Sequence, residues 1–152
     1  MTASTPSVLA FLEGEGTDAR GRTIFDVLSF DDAALENTHD FIQWLFPLTE
    51  PSSAVPGSPV LTEDQATAVC DSVMAQCTLA AATDRMATFY RNNDHWLKSA
   101  DHNHLRITRI IRALRRLRGD GEADTFRAGI LAKVEATGAP VSTRSRGYWA
   151  TA

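Results

Sequence analysis

Apolar positions recur at steps of three and four along most of this chain, and no stretch alternates apolar and polar for more than a few residues. The densest run is Asn37 to Leu48. There Leu35, Thr38, Ile42 and Leu45 share one helical face, and Phe41, Trp44 and Phe46 broaden it almost all round. The pattern predicts a central hydrophobic helix over about 31–46, capped by Asp31 or Asp32 and ended by Pro47. Two short helices are expected before it. One runs from Pro6 to Glu13, the other opens at Thr23 with Asp26 near its positive end. Thr62 to Gln65 is a capping box. Behind it, Ala66, Val69, Cys70, Val73, Met74 and Cys77 form an apolar stripe that continues to Tyr90, with a break expected near Thr83-Asp84. Asp101 to Asn103 opens a strong helix with Ile107, Ile110, Ile111, Leu114 and Leu117 inward, stopped at Gly119. A further helix spans Glu122 to Ala136, and Gly138 follows it. Tyr148 and Trp149 in the tail are expected to dock. The class is all-α, an irregular bundle of five to seven helices.

The Pro/Ser-rich segment 49–60 is a connector rather than a domain boundary, because the residues before it are few for an independent core. One domain over 1–152 is expected. Apolar content of 43% and charged content of 22% suit a globular protein. No apolar run is long enough to span a bilayer, and residues 1–6 have no secretory features, so the expected address is the cytoplasm. On a helix, Cys70 and Cys77 lie two turns apart, about 10 Å along the axis, too far for a disulfide. Both are expected to be buried small apolar residues.

Charge is uneven. Residues 1–50 hold nine acids and two bases, residues 51–100 five and three, and residues 101–152 five and ten. Six of those bases are arginines within 106–118, at 106, 109, 112, 115, 116 and 118. Such a face suits phosphate groups, but it is also what a helix paired with acids elsewhere carries. The net charge of −4 and the absence of lysine from that segment argue against a dedicated nucleic-acid binder.

Few patterns carry chemistry. The loop Glu13 to Gly21 is glycine-rich, but its spacing and its acids do not suit phosphate. His102 and His104 stand near Asp101, yet no third metal ligand is set by local spacing, and no metal or cofactor is expected. There is no nucleophile elbow, and paired carboxylates at helix starts are explained as caps. No catalytic residue is assigned.

Two stretches resemble a known family. Asn37-Thr38-His39-Asp40-Phe41-Ile42-Gln43-Trp44-Leu45-Phe46-Pro47-Leu48, followed by Glu50-Pro51, is similar to the hallmark of the conserved N-terminal domain of the opioid growth factor receptor. His102-Asn103-His104-Leu105-Arg106-Ile107-Thr108-Arg109-Ile110 is similar to its second hallmark. Gly21 to Ile24, Leu61-Thr62 and Phe89-Tyr90 are weaker echoes, and the likeness extends over roughly residues 8–150. It implies an α-helical domain, here a compact single-domain member. The family's best-known members are eukaryotic receptors at the nucleus and its envelope, which bind the pentapeptide Met-enkephalin and restrain cell proliferation. The reading that follows is a soluble helical binding module for a peptide or small acidic molecule. Its ligand is expected in a groove between helix 31–46 and helix 103–118, with Arg106 and Arg109 as anchors and His39, Gln43, Trp44 and His102 as further contacts. A small enzyme acting on an acidic or aromatic metabolite in that groove, with His39 or His102 moving the proton, is the alternative. Nucleic-acid binding through the arginine helix is the third.

Overall fold

The computed structural model describes residues 7–52 and 55–152. Pro6, expected in the first turn of the first helix, lies outside the described residues, as do Ser53 and Ala54 of the connector. Among the described residues there are nine helices: α1 (Val8–Leu12), α2 (Ile24–Leu28), α3 (Asp32–Asn37), α4 (Ile42–Leu45), α5 (Glu63–Asp71), α6 (Val73–Asn92), α7 (His102–Leu117), α8 (Asp120–Thr137) and α9 (Thr143–Thr151). The fold is all-α. The one extended pairing described is an isolated parallel bridge between Leu48 and Val60. The chain divides into two compact units, up to Ala82 and from Thr83, and the division falls inside α6. No helix among the described residues is long and apolar enough to cross a membrane.

In the first unit the caps are those the side chains can make. Thr23 and Asp26 form a capping box on α2, Asp31 caps α3 through the Ala34 amide, and Thr62 and Gln65 form a capping box on α5. The core gathers Phe11, Leu12, Ile24, Val27, Leu35, Leu61 and Val69 around the segment 41–48, all of whose residues are buried. Trp44 meets Phe11 edge-on at 5.5 Å, and Phe41 meets Phe30 at 5.8 Å.

Two expectations need correction here. The single helix over 31–46 is two, α3 and α4, separated at Thr38 to Phe41. Thr38 is extended (φ −102°, ψ 125°), and Asp40 is held by arginines instead of continuing the helix. The break leaves His39 in solvent and drives Phe41 fully inside.

The second correction concerns the stripe behind Thr62. It breaks at Ser72, not near Thr83-Asp84. Ser72 is extended (φ −88°, ψ 114°), its hydroxyl accepts from the Ala75 amide, and the same hydroxyl donates to Glu13 Oε2 at 2.7 Å. The break resets the helical phase. Ala75, Leu79, Ala82, Met86 and Phe89 now point inward, while Met74 is exposed. Cys70 is half-buried and Cys77 exposed, and neither is in a disulfide, where buried cysteines were expected.

The second unit is built on α7. Its buried Ile107, Ile110, Ile111, Leu114 and Leu117 pack against α8 and α9, and α8 contributes Ala123, Phe126, Ile130 and Val134. Gly119 at φ +111° permits the turn from α7 into α8, and Gly138 ends α8 in the left-handed conformation. The Lys133 ammonium donates to the Tyr90, Arg91 and Asn93 carbonyls at 2.8, 2.7 and 3.0 Å, which satisfies the end of α6. The tail is helical, and one of its two aromatics docks. Trp149 is fully buried and its indole donates to the His104 carbonyl at 3.0 Å, whereas Tyr148 stays 43% exposed. Adjacent helical residues point about 100° apart, so α9 buries only one of them.

Candidate functional site

The first unit contains an open cleft of about 650 Å³, lined by Arg20, Arg22, Asn37, Thr38, His39, Asp40 and Val55. It is built from the loop before α2 and the break between α3 and α4. Asp18 organises the loop. Its side chain is fully buried; Oδ1 accepts from the Arg20 and Arg22 amides at 2.8 and 3.0 Å, and Oδ2 accepts from Arg22 Nε at 2.6 Å. The Gly21 turn (φ +76°) closes between them. Arg22 then reaches Asp40 Oδ1 through Nη2 at 2.9 Å, and Arg20 Nε donates to Asp40 Oδ2 at 2.8 Å. The Arg20 side chain is 73% exposed against 19% for Arg22, so Arg20 is the cation open to a ligand and Arg22 the one that fixes the wall.

The charges stabilise one another. Burial works against the Asp40 carboxylate, but hydrogen bonding and charge from Arg22, with Arg20 behind them, outweigh it and hold its pKa below the usual carboxylate range. Burial likewise opposes the Arg22 cation, and Asp18 and Asp40 reverse that, raising its pKa. A carboxylate with a depressed native pKa contributes stability that is full above its ordinary value and is lost as pH falls through the depressed one. Asp40→Asn is therefore expected to be less stable than the parent at neutral pH, with the gap closing below about pH 4. Hydrogen-exchange protection of the amides over residues 8–48, measured across that range, checks it; a gap independent of pH would count against the Arg22–Asp40–Arg20 bridge.

Of the sequence-predicted contacts in this unit, His39 alone lines the cleft. Gln43 and Trp44 are buried, 4% and 6% exposed, in the segment that continues into α4. The Gln43 Oε1 has no hydrogen-bond partner among the described residues. In the second unit, His102 is exposed in the first turn of α7 beside Asp101, Arg106 is 7% exposed, and Arg109 is half-buried. His104, two residues on, is structural: its Nε2 donates to the Trp96 carbonyl at 2.8 Å, and Nδ1 meets Ser145 Oγ at 2.8 Å. The outer arginines are partly neutralised by α8. Arg115 pairs with Asp120 and Asp124 at 2.8 and 2.9 Å, and Arg118 with Glu122 at 3.3 Å. No group of three or more His, Cys, Asp or Glu among the described residues is placed to hold a metal.

Residues 21–94 match the family model described as the opioid growth factor receptor conserved region. The likeness to that region covers just under half of this chain. The opioid growth factor receptor of Mus musculus is 37% identical over 98 residues, covering 53% of this chain and 15% of the relative. That of Rattus norvegicus is 35% identical over 98 residues, covering 53% and 17%. The chain thus spans less than a fifth of the length of these relatives. No solved structure matches it significantly.

The matched residues 21–94 include Arg22, the 37–40 break and Val55, and the cleft they line was only partly foreseen. His39 stood out as a polar residue in an apolar run. Arg20 and Arg22 did not, although a signal existed: they are the only basic residues before Arg85. Two isolated cations in so acidic a stretch mark the place where carboxylates must converge.

Proposed function

We propose that this chain is a binding module, and that its ligand is a short peptide or a small acidic molecule held in the cleft of the first unit. The observation that supports this most strongly is the exposed Arg20 guanidinium beside Asp40 in an open cleft whose volume lies in the range of about 300–1,000 Å³ common for ligand sites. Arg20 suits a ligand carboxylate. Asp40 suits an ammonium, and Asn37, Thr38 and His39 offer hydrogen bonds between them. A rim bearing both signs suits a zwitterionic chain better than a polyanion. The relatives' name, opioid growth factor receptor, fits a module that receives a ligand.

Calorimetric titration with a short free-terminus peptide and its end-blocked form tests the reading. The free form is expected to bind. Arg20→Ala is expected to weaken it about tenfold through loss of a charge-assisted hydrogen bond. Because Arg20 is open to solvent, the fold should survive the change. Equal binding of the blocked peptide, or parent-like affinity in Arg20→Ala, would contradict it.

A further inference from the structure

The first half of α6 is apolar on two sides. Ala75, Leu79 and Ala82 are buried, while Val73 (76% exposed), Met74 (58%), Cys77 and Ala81 line the opposite side at helical spacing and face solvent. A helix that is apolar all round normally lies inside a protein, so an uncovered apolar side calls for a cover. Phe25 of α2 is also 69% exposed, and the 13–14 turn links it to the start of α6. Its ring lies beside Gly14, where a Cβ would sit 3.7 Å from it. The neighbouring Glu13 accepts the Ser72 hydroxyl immediately before Val73.

Charge selects the cover. From Thr23 to Asp84 the chain has ten acids and no lysine or arginine. Asp71, two residues before Val73, Asp26, next to Phe25, and Glu15, next to Gly14, are exposed, and Glu13 is half-exposed. The unit's two arginines are both engaged in the cleft by Asp18 and Asp40. The geometry points to a docking surface for a basic amphipathic helix of a partner protein, laid with its apolar face along Val73, Met74, Cys77 and Phe25 and its cations over the surrounding carboxylates. This surface is separate from the cleft, whose lining shares none of these residues.

The test uses the full chain and three synthetic peptides: an amphipathic Leu/Lys helix, the same composition scrambled out of helical phase, and an amphipathic Leu/Glu helix. Fluorescence anisotropy is expected to show binding of the first only, weakening with salt. A double variant, Val73→Ser with Met74→Ser, should weaken it about tenfold or more, since two buried apolar contacts are lost. Val60→Ser, at an exposed apolar residue outside the stripe, should leave it unchanged. Both variants alter solvent-facing side chains, and circular dichroism confirms that they fold. Equal binding of the scrambled peptide, or of the amphipathic Leu/Lys peptide to the double variant, would reduce the effect to charge adsorption and overturn the proposal. Self-association of the parent that the double variant abolishes, without peptide binding, would assign the stripe to a second copy and overturn it too.

Discussion

Replacing Asp18 by alanine is expected to destabilise the first unit by about 3–5 kcal/mol, the cost of breaking a buried ion pair by removing one partner. Three donors lose their acceptor together: the Arg20 and Arg22 amides and Arg22 Nε. The Arg22 side chain is only 19% exposed and would then depend on Asp40 alone. The loss is a large part of the roughly 5–15 kcal/mol that holds a domain folded. Asp18→Asn keeps an amide oxygen for the loop amides and should fall between parent and alanine. Because the chain has two compact units, a single global midpoint is a poor reporter. Hydrogen exchange followed over residues 8–48 resolves the effect. Parent-like protection there in Asp18→Ala would show that the loop does not depend on this carboxylate.

Trp44→Ala is expected to cost about 3–5 kcal/mol, by removing the largest side chain of α4 from the first unit's core. Trp44 is 6% exposed and meets Phe11 edge-on, so its deletion leaves a cavity between α1 and α4. Trp44→Phe retains an aromatic contact with Phe11 and should recover much of the loss. The pair of variants also separates packing from binding. Trp44 does not line the cleft, so Trp44→Phe is expected to bind ligand as the parent does. A loss of affinity without a loss of stability would instead give Trp44 the contact role expected of it from the family resemblance.

The all-α class and most caps were legible because both depend on local chemistry. Thr23, Asp31, Thr62 and Asp101 each cap a helix with their own side chain, using amides within three residues. What periodicity could not locate were the breaks. At Ser72 the deciding interaction is with Glu13, distant in sequence, and at Thr38 to Phe41 it is the pull of Arg20 and Arg22 on Asp40. Both breaks change which residues face solvent. The first exposes Val73, Met74 and Cys77, and the second opens the cleft at His39. The candidate site was therefore half visible. His39 could be singled out from its neighbours, whereas Arg20 acquires meaning only once Asp18 has folded the loop against the 37–40 segment.

The most direct measurement is a residue-resolved map of ligand contact. The ¹⁵N-labelled chain is titrated with the short free-terminus peptide and followed by amide chemical shifts. Perturbations concentrated at residues 20–22, 37–40 and 55, and lost in Arg20→Ala, are the predicted result. Perturbations centred elsewhere in the chain, or an unchanged pattern in Arg20→Ala, would contradict the assignment of the cleft as the ligand site.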